Sequence, residues 1–332
     1  MKNPSRPLVV FVVSKPSMAA ILLPYCLSYY PYAKLAFVSL NLGLYKLKYP
    51  HGLSMSDYPV IEQPQWREND INPNQAKGYD AVSGKLVIEP EGAIALLRQA
   101  DEIVYAAEPD HRDVLAFDQL IYQVFGYPGR VQIFQVLHIN SLASDALRGI
   151  FESPVDTRHP DYCAALQQGQ ARKWFEYNFN VNAQAVLGRE LAAVGVVHAH
   201  RQVLSRYALQ MFYDISRCGP LREAEVLKHA SCWVGTGKYP PDMLGSYSSI
   251  ALMFENLEAA GLVDRLESSR SIRLSLRGEA LLTRLHPGCE DIDLPGRLTH
   301  WANTWPASEP AMTRYLKTFF GRQLHYLPPL SS

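Results

Sequence analysis

The feature that most constrains the fold is an apolar run, residues 103–107, that ends in closely spaced carboxylates. The run is long enough for a buried strand, and Glu108 and Asp110 follow it with one residue between them. Open α/β sheets place their chemistry at the carboxyl ends of parallel strands. Carboxylate oxygens are the hard ligands that Mg²⁺ prefers. The pattern therefore predicts a magnesium site of Glu108, Asp110 and Asp113. The alternative is that these acidic residues cap the following helix, favoured by its dipole.

The residues around this run alternate between strand and helix patterns over residues 1–140. Residues 8–13 form a continuous apolar, β-branched run, which is typical of a strand covered on both faces. Residues 41–92 are rich in Tyr, Pro, Asn and Gly, and residues 49–52 and 63–66 within them are predicted to be loops. The alternation predicts an α/β domain with a parallel sheet. Lys15 lies at the turn into the first helix, where it could hold a phosphate beside the helix N-terminus.

The second half of the chain is predicted to be mostly helical. Residues 141–200 read as a helical connector. Residues 201–287 contain three amphipathic helical stretches and then an alternating segment, residues 271–277. Helix, helix, helix and a two-stranded wing is the order of a winged helix-turn-helix domain. Residues 288–332, with several prolines, are predicted to be an irregular tail that packs on the body.

Basic and hydroxyl side chains of the predicted winged-helix domain are candidates for DNA contacts. Contacts to phosphates set affinity and position but carry no sequence information. The third helix carries Glu255 and Glu258 and no Lys or Arg that could read guanine edges. The sequence therefore favours binding to the DNA backbone, or a wing that packs on protein, over sequence-specific recognition of DNA bases. The candidates are Arg270, Arg273 and Arg277 on the wing, Ser246, Ser248 and Ser249 at the helix start, and Arg201 and Arg206 before it.

Composition limits the classes of partner. Basic and acidic residues number 32 each, so the net charge is zero and no global charge favours a nucleic-acid partner. Such a partner must be inferred from local features. The five cysteines are scattered without zinc-ligand spacing, which predicts reduced thiols in a cytoplasmic protein. No apolar run approaches the roughly 20 residues of a membrane-spanning helix, so no membrane partner is expected.

Three stretches resemble type IA DNA topoisomerases, whose metal-binding domain is called TOPRIM. Residues 9–19 resemble the family's opening strand, written apolar-x-E-K-P-S-x-A, and keep its K-P-S. Residues 108–113 read E-P-D-H-R-D where the family has D-P-D-R-E-G. Residues 245–263 resemble the segment G-T-P-A-T-R-A-x-I-I-E-x-L-x-x-x-G-Y-I that ends the family's core. The resemblance implies a TOPRIM-like domain, a winged-helix domain and Mg²⁺ as the cofactor.

The residues that would cut DNA are the ones that depart from the family. Its glutamate beside the scissile phosphate is Ser14 here, and serine supplies neither the charge nor a comparable general acid. Arg112 replaces the last glutamate of the acidic stretch. The family's nucleophilic tyrosine lies in a Y-x-R context within a gate domain inserted between the second and third of these stretches, and too few residues lie between Asp113 and Gly245 to form that domain. Tyr239 is the nearest candidate and lacks the arginine; the alternative is that it anchors a loop.

This pattern predicts a topoisomerase-like DNA-binding protein without strand-passage activity, in bacterial DNA processing or a mobile element. The expected partners are single-stranded or junction DNA, held mainly through the backbone, and other DNA-processing proteins. One alternative is an active magnesium-dependent topoisomerase or strand-cleaving enzyme that uses the TOPRIM carboxylates. A second alternative is a protein-interaction scaffold that contacts no nucleic acid.

Overall fold

The computed structural model describes residues 6–40, 45–68, 76–196, 203–266 and 271–328. The chain divides into two compact units. Unit 1 comprises Met1–Lys48 and Trp66–Gln170, and unit 2 comprises Tyr49–Gln65 and Ala171–Ser332. The predicted division at residues 140, 200 and 287 is finer than this one and stays a prediction.

A seven-stranded sheet forms the centre of unit 1. The first nine strands of the chain are β1 (Leu8–Val13), β2 (Lys34–Ser39), β3 (Tyr45–Lys48), β4 (Gln65–Glu68), β5 (Ala76–Asp80), β6 (Lys85–Ile88), β7 (Glu102–Ala107), β8 (Gln135–His138) and β9 (Val155–Asp156). The large sheet has the order β6-β5-β2-β1-β7-β8-β9, and β3 pairs with β4 separately. Pairing is parallel from β2 through β1 and β7 to β8, and antiparallel at both ends.

Helices cover both faces of this sheet. They are α1 (Pro16–Tyr29), α2 (Gly92–Gln99), α3 (His111–Phe125), α4 (Tyr127–Arg130), α5 (Ser144–Glu152) and the start of α6 (Pro160–Ala193). Because successive strand residues point to opposite faces, β1 contributes to two cores. Val10 and Val12 pack in the core of α2 and α3, whereas Phe11 and Val13 pack in the core of α1 and α5. The α/β class predicted from the alternation is confirmed.

The sheet is mixed rather than purely parallel, which corrects the sequence prediction. Its antiparallel strands β5 and β6 lie within residues 41–92, a stretch for which the sequence predicts no strand. β5 contains Gly78 and ends at Asp80, and both residue types are depleted in strands. The local signal for a strand is therefore weak there, and pairing with β2 and β6 on either side decides the conformation.

Unit 2 is built mainly from helices around one core. After α6 come α7 (Arg206–Cys218), α8 (Glu223–Ser231), α9 (Tyr247–Ala259), α10 (Leu276–Arg284), α11 (Leu294–Asn303) and α12 (Glu309–Leu324). Three short strands, β10 (Leu221–Arg222), β11 (Val263–Leu266) and β12 (Ser271–Leu274), form an antiparallel sheet in the order β10-β12-β11. Across the described ranges, no helix combines the length and apolarity that crossing a bilayer requires.

Two predictions for unit 2 are wrong. The strand predicted over residues 271–277 ends at Leu274, because the Ser275 hydroxyl accepts from the Gly278 amide and starts α10. Arg277 therefore lies on a helix, where its guanidinium donates to the Ala260 carbonyl at 3.1 Å. The segment predicted to be an irregular tail contains α11 and α12. Two of its prolines, Pro295 and Pro310, stand in the first turns of these helices, where the missing amide donor costs nothing.

Candidate functional site at the carboxyl ends of the parallel strands

The strand connections of unit 1 reverse direction between β1 and β7. The chain leaves β1 through α1 to reach β2, and it leaves β7 through α3 to reach β8 on the other side. Such a reversal opens a crevice outside the carboxyl ends of the two strands, where open α/β sheets bind their ligands. Ser14 directly follows β1, and Glu108 directly follows β7. The acidic stretch singled out in the sequence is therefore at this crevice.

Ser14 connects the two strand ends. Its side chain is buried, with 4% of the residue surface exposed. The hydroxyl donates to Asp113 Oδ2 on α3 and accepts from the Glu108 amide at 3.3 Å. The sequence identified Ser14 only as a lost glutamate. The structure shows that its hydroxyl is a structural link between β1, β7 and α3.

Asp113 is half-buried, and its pKa is raised. Burial is the largest cause, because it penalises the ionised form, and the nearby charges of Asp110 and Glu108 act in the same direction. The hydrogen bond from Ser14 and the charge of Arg112 oppose this shift by favouring the carboxylate.

Asp110 caps α3, which is the alternative that the sequence left open. Its Oδ1 accepts from the amides of Arg112 at 2.6 Å and Asp113 at 3.2 Å. Its Oδ2 receives the Arg112 guanidinium at 2.9 Å. Burial alone would raise the pKa of Asp110, but the hydrogen bonds and charge of Arg112 outweigh burial and lower it. Arg112 is thus a built-in counterion, and both oxygens of Asp110 already have partners.

Two of the three predicted magnesium ligands, Asp110 and Asp113, are hydrogen-bonded to other residues. In the part of the chain that the structure describes, no group of three or more His, Cys, Asp or Glu side chains is placed to hold a metal ion. Glu108 is exposed, Asp110 is bonded to Arg112, and Asp113 is bonded to Ser14. The magnesium site therefore stays a prediction, and the carboxylates would have to rearrange to form it.

A cavity of about 660 Å³ opens at this crevice. Lys15 and Ser17 line it from the start of α1, and Glu108 and Asp110 line it from the turn after β7. Lys15 is the N-cap of α1, and the first turn of that helix contains no acidic residue. The positive end of the α1 dipole and the lysine therefore coincide, which favours an anion such as a phosphate.

Asn140 and Ser141 also line the cavity, and sequence reasoning missed both residues. They follow β8, the next parallel strand, so they lie at the same edge of the sheet as the acidic stretch. The signal that could have identified them is a pair of polar residues directly after a short apolar run. They add an amide and a second hydroxyl to a lining whose other polar side chains are Lys15, Ser17, Glu108 and Asp110.

The predicted DNA contacts of unit 2 have different environments. Arg201 and Arg270 lie outside the described residues. Arg206 is largely buried, with 17% of its side chain exposed, and its Nη1 is 3.7 Å from Glu176 Oε2. Its guanidinium also lies over the Tyr207 ring at 4.7 Å. The charge of Arg206 is thus compensated inside unit 2, so this residue is poorly placed to contact DNA.

The start of α9 and one side of β12 remain exposed. The Ser246 hydroxyl caps α9 by accepting from the Ser249 amide at 3.3 Å. Ser248 and Ser249 are exposed in the first turn of α9, and Arg273 is exposed on β12. Arg273 lies opposite Asp264 in the β11–β12 pair. The exposed candidates in the described part of unit 2 are therefore the serines of the α9 start, Arg273, and Arg277 on α10.

Tyr239 is packed as a loop anchor. Its ring lies 6.0 Å from that of His300 on α11, and the Lys238 ammonium lies 5.6 Å from the ring centroid. Gly296 allows this approach, because a Cβ there would come within 2.5 Å of the Tyr239 Cβ. The geometry agrees with the loop-anchor alternative for Tyr239 rather than with a nucleophile.

Comparison with protein-family models and with curated proteins returned no match for this chain.

Proposed function

We propose that the protein is a topoisomerase-like DNA-binding protein that holds single-stranded or junction DNA without cutting it. The observation that carries this proposal is the Ser14–Asp113 hydrogen bond at the switch point of the sheet. In the topoisomerase family that the chain resembles, the residue corresponding to position 14 is a glutamate beside the scissile phosphate. Here the position holds a neutral hydroxyl that is already bonded to a carboxylate. The setting that the resemblance suggests is bacterial DNA processing or a mobile element.

The absence of cleavage follows from how the cutting groups are used. A magnesium-assisted cut needs carboxylates free to hold the ion and a nucleophile free to attack. Asp110 caps α3 and pairs with Arg112, and Tyr239 packs against α11. Asp110 and Tyr239 therefore stabilise the fold, and neither is free to take part in DNA cleavage. This supports non-covalent binding.

Phosphate binding has support in both units. In unit 1, Lys15 and the N-terminus of α1 provide positive potential at the 660 Å³ cavity. In unit 2, three helices followed by the β11–β12 hairpin have the order on which the winged-helix prediction rests. Ser248, Ser249 and Arg273 are exposed on that part. The exposed face of α9 carries Leu252 and Glu255 and no Lys or Arg. We therefore expect unit 2 to contact the DNA backbone and not the base edges.

The test is the anisotropy of a labelled single-stranded oligonucleotide over a series of salt concentrations. We expect Lys15→Ala and Arg273→Ala to weaken binding and to lower the salt slope by about 0.7 for each phosphate that is no longer neutralised. Lys85→Ala and Arg314→Ala are matched controls, because both side chains are exposed elsewhere in the same units. Unchanged affinity in both test variants would contradict the proposed phosphate binding.

The rival functions give other results in the same preparation. Cleavage or relaxation of DNA in Mg²⁺ that Asp110→Asn abolishes would establish the enzyme, as would a covalent adduct on Tyr239. The complete absence of salt-dependent DNA binding would favour the protein-interaction scaffold.

A further inference from the structure

Unit 2 contains a second cavity, of about 410 Å³, between α6 and a loop. The loop contributes Tyr49, His51 and Tyr58, and α6 contributes Val181, Gln184 and Ala185. Ala185 contributes a small side chain to the lining, and Gln184 contributes an exposed amide. Within the described residues, the lining contains no Asp, Glu, Lys or Arg. The cavity therefore suits a neutral, planar ligand better than an ionic one.

Tyr49, which lines this cavity, is held by stacking on the buried Tyr177 of α6. The Tyr49 and Tyr177 rings lie 5.5 Å apart and are nearly parallel, with an angle of 9° between their planes. The Tyr177 hydroxyl in turn donates to Glu62 at 2.5 Å. A stacked pair held at its far end cannot easily rotate, so the aromatic wall is preformed.

The loop is also fastened to α6 by paired asparagines. Asn182 accepts from the Val60 amide at 2.8 Å and donates to the Val60 carbonyl at 2.7 Å. Asn178, one turn earlier, makes the same pair of bonds with Glu62, at 2.8 and 2.9 Å. Both asparagines are buried. Each asparagine amide bonds both the N–H and the C=O of one loop residue, as a neighbouring strand would. These bonds hold the loop in place without a ligand.

A short turn stiffens the part of the loop that precedes these anchors. Residues Met55–Asp57 form a 3-10 turn, in which Asp57 accepts from both the amide and the hydroxyl of Ser54 at 2.7 Å. These bonds lower the pKa of Asp57, which keeps the cap ionised at neutral pH. Tyr58 follows directly and reaches the cavity. Preformed pockets bind more tightly because less ordering is required on binding.

We propose that this cavity binds one unpaired nucleobase of single-stranded DNA. The inference rests on the proposed function, since it takes the DNA strand as the ligand, and it adds a base-binding pocket to the phosphate contacts. Its volume is within the range of small-molecule pockets, roughly 300–1,000 Å³. Its aromatic side chains offer a face for stacking, which tolerates any base. Gln184 offers an amide donor and acceptor to the base edge.

The experiment compares a short oligothymidylate with an abasic oligonucleotide of the same length, in the full-length protein. We expect Tyr58→Ala and Gln184→Ala to weaken binding of the oligothymidylate, with roughly 5- to 100-fold for the loss of a stacking ring. Neither variant should change binding of the abasic strand, because that strand has no base to place in the cavity. Tyr32→Ala is the control, since Tyr32 is an exposed tyrosine of unit 1 outside the cavity.

Photocrosslinking supplies a readout that does not depend on the stability of a variant. An oligonucleotide with 5-bromouracil, irradiated on the wild-type protein, should attach to residues 49–58. Attachment there, together with the base-dependent loss in Gln184→Ala, supports the proposal. Equal losses for both strands, or attachment only elsewhere, would overturn the base pocket while leaving DNA binding intact. If neither strand binds the wild-type protein, the proposed function itself fails, and the base pocket fails with it.

Discussion

Ser14→Ala tests whether the buried hydroxyl holds the switch point of unit 1 together. Alanine fits the space of serine but cannot donate to Asp113 or accept from the Glu108 amide. A hydrogen bond to a charged group contributes about 1.5–3 kcal/mol, and a neutral one contributes about 0.5–1.5 kcal/mol. Because the Asp113 carboxylate lies half-buried, we expect Ser14→Ala to lower the free energy of unfolding of unit 1 by about 1.5–3 kcal/mol at neutral pH.

This loss should depend on pH with a defined sign. The folded pKa of Asp113 is raised, so between the unfolded and folded pKa values the folded state binds more protons than the unfolded state. Stability from this group therefore falls as pH rises through that window. Ser14→Ala removes a hydrogen bond that favours the ionised form of Asp113, so it raises the pKa of Asp113 in the folded state further. The decrease in stability then continues to a higher pH. The destabilisation should be larger at neutral pH than in acid.

Hydrogen exchange followed by mass spectrometry measures this effect locally. Peptides that contain β1 and β7 report the opening of unit 1, at about pH 7 and about pH 4, normalised to intrinsic rates. Ser17→Ala is the control, because Ser17 is exposed and should change stability by less than about 0.5 kcal/mol. Unchanged protection in Ser14→Ala, or an equal loss at both pH values, would refute the reasoning.

Three further predictions follow from single side chains. Arg112→Ala should raise the pKa of Asp110, because its guanidinium hydrogen bonds favour the carboxylate; a carboxyl titration by NMR measures this, and an unchanged pKa contradicts it. Phe320→Ala should cost about 3–5 kcal/mol in urea unfolding, because the ring is fully buried; a loss below about 1 kcal/mol would place α12 outside the core. Asn182→Ala should speed proteolysis of the loop that carries Val60, because it removes two bonds to the loop backbone, whereas an unchanged cleavage rate would mean that other interactions hold it.

The parallel centre of unit 1 could be predicted because its signal is local. Residues 8–13 are apolar at every position, and all six are buried in the structure. A strand buried on both faces needs such a run, so the pattern and the environment correspond directly. The same is true of α9, which begins after the cap Ser246 and ends before Gly261, a residue with positive φ.

The predicted end of the second wing strand is wrong because two local signals compete there. Ile272, Leu274 and Leu276 alternate with polar residues as a strand would. In the structure, Ile272 is fully buried, whereas Leu276 is 85% exposed and belongs to α10. Ser275 starts that helix and also donates to the Gly261 carbonyl. That hydrogen bond forms only when α9 and β12 are packed, so the pattern of apolar residues could not indicate it.

By itself, the sequence determined which residues stand at the ends of the central strands, because each of these strands ends where its apolar run ends. Only the tertiary structure decided the partner of each polar group there. Ser14 and Asp113 are 99 residues apart in the chain, and Asn182 and Val60 are 122 apart. A hydrogen bond requires the two atoms to approach within about 3 Å, and distant residues reach that separation only after the elements that carry them have packed.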